Sequence, residues 1–176
     1  SFQLCAYQRI YKASQSLSKI LNSCASIELK RITMVDVSDI SAELSRENEE
    51  VIGSFVDLWG DAPFKFLFYV DTPGAYTLTD LLMRRTPGTT KEFDMYVSST
   101  IQEIGNILAS AIANTFSNNF QMSLKPSPPM VFNDFAATLF QELIFDAASE
   151  DNKILIMESR FEVIKMNLPC RIFVIP

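Results

Sequence analysis

The chain has 176 residues, 48% of them hydrophobic and 20% charged, and it contains no histidine. That absence excludes Ser-His-Asp and Cys-His nucleophiles, His-ligated zinc, iron or copper, and imidazole proton shuttles. A net charge of −6 with scattered lysines and arginines excludes a phosphate-neutralising surface, so no nucleic acid is expected as a partner.

The predicted elements, in chain order, begin with a helix. From Cys5 to about Ser23, Ile10, Leu17, Ile20 and Leu21 recur at helical spacing with no Gly or Pro between them. Ile27, Leu29 and Ile32 to Val37 then read as one strand, interrupted by Lys30 and Arg31. Ser38 to Asn48 is acidic and polar, and reads as a solvated loop or short helix. Val51 to Leu58 and Pro63 to Asp71 form a hairpin, with turn chemistry in Gly60-Asp61-Ala62-Pro63 and a stop at Thr72-Pro73-Gly74. Ala75 to Arg84 reads as a short helix ending before Pro87-Gly88. Thr89 and Glu92 fit a capping box that opens the longest helix, which runs to about Asn118 with Gly105 as its one breaker.

Beyond it, Phe120 to Leu124 is extended, and Lys125 to Met130 is a rigid proline-rich turn. Thr138 to Phe145 and Asn152 to Glu158 read as strands. Arg160 to Met166 and Cys170 to Ile175 read as a last hairpin around Asn167-Leu168-Pro169. The expected architecture is α/β (α+β): helices packed on an extended, largely antiparallel sheet in a single domain. A chain of ~150 residues buries roughly 70% of its unfolded surface, enough to house the phenylalanines.

Cys5, Cys24 and Cys170 are odd in number and form no CxxC pair, which reads as thiols in a reducing compartment. No apolar run approaches the ~20 residues of a membrane span, and no charged-then-apolar targeting segment opens the chain. A cytoplasmic protein without a membrane partner is expected.

The long helix carries the informative pattern. At ~100° per residue, Ile101, Ile104, Leu108, Ile112 and Phe116 share one face, while Ser99, Glu103, Asn106 and Ser110 fall nearly opposite in a stripe roughly 60° wide. Gly105 lies towards the apolar side, which suits close packing at ~1 kcal/mol in helix propensity. Taken alone, the stripe reads as the solvated face of an amphipathic helix. Asn106 argues against that, because a mid-helix Asn competes with the backbone for hydrogen bonds. A carboxylate beside an amide can orient a water, which is chemistry open to a chain without histidine.

Ser99-x3-Glu103-x2-Asn106-x22-Pro129 resembles, at every spacing, the Asp/Ser, Glu, Asn, Pro motif of the CheC/CheX family of chemotaxis phosphatases. Gln102 to Leu108 (QEIGNIL), Gly74 to Leu82, Ser127-Pro128-Pro129 and the terminal strands are similar to that family in the same order. The resemblance implies two related halves, approximately 1–85 and 86–176. In the first half Leu4, Tyr7 and Lys30 stand where Glu103, Asn106 and Pro129 stand in the second, so the first site is expected to be dead. A single intact site is similar to the CheX arrangement, which implies a homodimer.

The activity implied is hydrolysis of the aspartyl-phosphate of a CheY-like response regulator in chemotaxis or two-component signalling. Glu103 and Asn106 would be the catalytic pair: Asn106 orients the attacking water, and Glu103 pairs with the regulator's active-site lysine. Ser99 and Pro129 would shape the site. The chain would bind no cofactor or metal of its own, Mg²⁺ being carried by the regulator, and a CheD-like protein is a further implied partner. The alternative is a non-catalytic module, like the flagellar-switch proteins FliM and FliY, that binds a regulator or another partner.

Other residues carry less. Glu142, Asp146 and Glu150 read as solvated carboxylates, and Asn133 and Asp134 as turn or cap residues. Trp59 reads either as an exposed anchor or as a partly buried packing residue, and Cys170 as a small core residue.

Overall fold

A computed structural model describes residues 25–36, 48–139, 153–163 and 166–175, with a few isolated positions besides. Its strands are β1 (Ala25–Asp36), β2 (Glu50–Gly60), β3 (Phe64–Asp71), β4 (Leu124–Pro126), β5 (Met130–Phe135), β6 (Lys153–Val163) and β7 (Met166–Ile175). Two helices, α1 (Thr72–Leu82) and α2 (Met95–Phe120), lie between β3 and β4 in the chain. The described strands make one sheet in the order β1-β6-β7-β3-β2-β4, and β5 also pairs with β2. Every neighbouring pair is antiparallel.

The period-two alternation of the central strands separates two apolar layers. Phe66, Phe68 and Val70 of β3, with Ile52, Val56 and Leu58 of β2 and Ile172 and Val174 of β7, face α1 and α2. Leu67, Tyr69, Val51, Phe173 and Ile175 face the other way, where Ala136 and Leu139 pack on them. The expected helices-on-antiparallel-sheet architecture is the one observed. Lys30, anticipated as an interruption, is skipped in the β1–β6 register between Leu29 and Arg31, a β-bulge.

Several local expectations are corrected. Thr72-Pro73-Gly74 opens α1 rather than closing the hairpin: Asp71 caps the helix by accepting from Gly74 N (2.7 Å), and proline is tolerated in a first turn that needs no N–H. The cap of α2 is Asp94, whose Oδ1 accepts from Tyr96 N and Val97 N at 2.9 Å, and not a Thr89–Glu92 box. Asn133 and Asp134 belong to β5, opposite Ile52 and Val51, and are not turn residues.

Residues 136–139 are helical, so a strand from Thr138 is not formed there; Ala136 and Leu139, three apart, bury one helical face. The ladder of the last hairpin runs on to the pair Val163–Met166, so Asn167-Leu168-Pro169 is not its turn but lies inside β7, paired with β6. Pro169 falls just past the end of the β3–β7 ladder at Val70–Cys170, where its missing N–H breaks no bond to β3. The helix expected over 5–23 falls outside the described residues except at Gln15, Ser16, Ser18 and Lys19, which are helical. The Ser38–Asn48 stretch lies outside them apart from Asp39 and Asn48, as do Glu142, Asp146 and Glu150.

The corner joining α1 to α2 is built on one carboxylate. Asp80 is fully buried, and it accepts from Gly88 N (2.8 Å), Thr89 N (2.9 Å), Thr90 N (3.0 Å) and the Thr90 hydroxyl (2.5 Å). Burial pushes its pKa up, but the Thr90 hydroxyl and the three backbone donors outweigh that and hold it below the ordinary value. The ionised form is therefore favoured by the fold. Its contribution is present above the unfolded carboxyl pKa of about 4 and is lost as pH falls through the lower folded value. Asp80→Asn should cost about 1–3 kcal/mol near neutral pH in urea unfolding. The gap to the parent should narrow below about pH 4, and a gap independent of pH would contradict this role.

Candidate functional site

α2 displays the polar stripe as its spacing predicts. Ser99, Glu103 and Asn106 are all exposed, and Ser110 is half-buried. Glu103 and Asn106 sit three apart, so their side chains are neighbours on one face. On the opposite side Val97, Ile101, Ile104 and Leu108 are buried against the sheet. The structure thus brings together three of the four motif residues in solvent, on a helix anchored along its whole inner face.

The fourth, Pro129, reaches the same helix from elsewhere in the chain. It is buried at the turn between β4 and β5, and a Cβ added to Gly105 would lie 3.6 Å from its Cβ. That turn is fixed to β2: Ser127 N donates to Asp57 O (2.8 Å), and Asp57 N donates to Ser127 Oγ (3.0 Å). Pro129 therefore abuts the helix between Glu103 and Asn106 and takes no exposed position itself.

Gly105 explains how that turn and β2 approach so closely. A Cβ there would fall 2.1 Å from Ser54 Oγ and 3.2 Å from Ser54 Cβ, so α2 rests on β2 backbone to side chain. Ser54 and Thr100 are fully buried, and their hydroxyls have no hydrogen-bond partner among the described residues. The polar atom under Gly105 is thus tolerated rather than used. No signal in the sequence marks Ser54 as Gly105's neighbour, because the two are brought together by the sheet.

Of the first-half counterparts, Leu4 and Tyr7 lie outside the described residues and Lys30 lies in β1. Trp59 is 62% exposed, so of its two readings the packing one is corrected. Cys170 is buried in β7. Among the described residues no three cysteine or carboxylate groups come together as a metal site, and no helix is long and apolar enough to cross a membrane.

No protein-family model matches the chain. Its fold is shared with solved structures at low identity. FliY from Thermotoga maritima superposes with a TM-score of 0.75 and 18% identity, over 95% of this chain and 83% of that one. A chain of the FliG–FliM complex from H. pylori gives 0.70 and 12%, over 99% and 90%. A chain of the CheX–CheY–BeF3–Mg²⁺ complex from Borrelia burgdorferi gives 0.58 and 15%, over 96% of each. The chain has the CheC/CheX-like fold that these proteins have in common.

The Gly105–Ser54 contact makes a prediction about stability. Gly105→Ala should cost about 1–3 kcal/mol by overpacking, offset in part by the ~1 kcal/mol gained in helix propensity. Ser54→Ala removes a hydroxyl that has no partner and should be neutral or stabilising. The double variant, left with a tight but tolerable Cβ–Cβ approach, should recover most of the loss in thermal unfolding. Additive effects of the two changes would contradict the contact.

Proposed function

We propose that this chain is a phosphatase for the aspartyl-phosphate of a CheY-like receiver domain, acting in chemotaxis or related two-component signalling. The observation that carries the reading is the joint exposure of Glu103 and Asn106 on a helix otherwise fixed to the sheet. In such a reaction a water oxygen attacks phosphorus and the bond to the aspartyl oxygen breaks, giving inorganic phosphate and a free carboxylate. This asks for positioning and charge stabilisation rather than for a nucleophile from the protein. The Asn106 amide orients the water, and Glu103 pairs with a lysine of the receiver and sets the docking register. Mg²⁺ arrives with the receiver. Ser99 and Pro129 shape the surface around the pair. On this reading the protein works in the cytoplasm.

The likeness to a CheX solved together with CheY, BeF3 and Mg²⁺ supports this choice of partner. A second reading is favoured by the higher TM-scores of the FliY and FliG–FliM structures: a non-catalytic module whose α2 face binds a receiver or another protein without hydrolysis.

Asn106→Ala should keep receiver binding and lower the rate of phosphate release on the order of a hundredfold. Glu103→Ala should weaken binding as well as rate. Equal phosphate release with the parent and with Asn106→Ala would sink the catalytic assignment, while tight binding by the parent without any faster release would favour the second reading.

A further inference from the structure

The polar stripe of α2 does not end at Ser99. Continued one turn towards the helix start, it meets Met95 and Tyr96, four and three residues before Ser99 and so on the same face. Met95 is 73% exposed, and its chain neighbours Phe93 and Tyr96 are exposed as well. From Tyr96 to Asn106 the row is ~15 Å long at 1.5 Å per residue.

This apolar end is bordered by positive charge. The Arg85 guanidinium lies 4.8 Å from the centroid of the Tyr96 ring, a cation–π stack that ties the α1–α2 corner to the start of α2. Arg84 is exposed next to it. In a chain of net charge −6, two adjacent arginines at one end of the row and Glu103 towards the other make a bipolar surface.

Arg84 also occupies a backbone position that suits another residue. After α1, Arg84 N donates to Leu81 O (3.1 Å) and Arg85 N donates to Asp80 O (2.7 Å), which is the Schellman closure of a helix end. The residue in the left-handed conformation of that closure is usually glycine, yet here it is Arg84 at φ 56°. A non-glycine residue held in this region costs on the order of 1 kcal/mol or more, and such positions cluster at functional sites. The Asp80 carboxylate, which also fixes Gly88, Thr89 and Thr90, holds the corner in shape.

We infer that Met95 and Tyr96, with Arg84 and Arg85, form a second docking surface for the receiver domain, and that it selects a receiver whose surface beside the phosphorylated pocket is acidic and has an apolar notch. The inference rests on a receiver domain being the partner and holds whether or not the partner is dephosphorylated. Charge complementarity argues for the occupant: a receiver lysine faces Glu103, and acidic groups about 10 Å away along the helix face the arginines.

The test uses the full chain and a panel of CheY-type receiver domains carrying BeF3 and Mg²⁺, with Kd measured at two ionic strengths and Tm measured alongside. Met95→Glu should weaken binding about tenfold, as loss of an apolar anchor does. Arg84→Gly should weaken it about threefold and flatten its salt dependence, with Tm unchanged or raised because glycine relieves the left-handed backbone. Unchanged Kd for both variants would overturn the inference, and so would parent binding that is indifferent to salt. Binding without faster phosphate loss would remove the phosphatase reading and leave this surface standing. No binding to any receiver would remove both.

Discussion

Where α2 crosses β2, the absence of a side chain at Gly105 lets helix backbone settle onto Ser54, with Pro129 closing the third side. The other features of the candidate site follow from that seating. Ile101, Ile104 and Leu108 can reach the layer of Phe66, Phe68 and Ile172 only if the helix lies this close. The faces opposite them are then held at a fixed height above the sheet. Glu103 and Asn106 flank Gly105 in sequence, so the contact that sets the depth of the helix also sets the depth of the exposed pair. An amide that orients a water needs such a rigid base, because small misplacements cost large factors in rate. The orphaned Ser54 hydroxyl costs stability at this contact, and its position is better explained by close approach than by hydrogen bonding.

A second fixed point stands at the start of the same helix. Asp80 gathers four donors from the segment before α2, and the Schellman closure of α1 turns the chain there. The cap at Asp94 then begins α2 without slack. The surface running from Arg84 through Met95 to Asn106 is therefore preorganised at both ends, which lowers the ordering cost of docking another protein. A fold shared by FliY, FliM and CheX supplies this frame, while the particular side chains on α2 decide what it does.

Much of the site was legible in the sequence because it lies on one helix. The 3.6-residue period by itself assigns Ser99, Glu103 and Asn106 to the exposed face and Ile101, Ile104 and Leu108 to the buried one, and the structure agrees. Local boundaries were less legible, since a boundary depends on which of several competent caps wins. Thr89 was eligible to cap α2, but its N–H donates to Asp80 and its hydroxyl to Thr86 O, and Asp94 took the role. Pro169 read as a turn because prolines usually end strands, yet it sits just beyond the last paired residues of the β3–β7 ladder, where its missing N–H breaks no bond to β3. Asn133 and Asp134 read as a turn because their β-propensity is poor, whereas the edge of β2 recruits them as a strand. The Ser54–Gly105 and Arg85–Tyr96 contacts were not legible at all, being products of topology rather than of spacing.

The seating of α2 and the work proposed for Asn106 are joined in one measurement: phosphate release from a phosphorylated receiver domain by Gly105→Ala and by the Gly105→Ala/Ser54→Ala pair. If the helix contact holds the exposed pair in register, the single variant releases phosphate more slowly than the parent and the double variant regains most of the rate. Full activity in Gly105→Ala, or a double variant that recovers its thermal stability but not its rate, would contradict it.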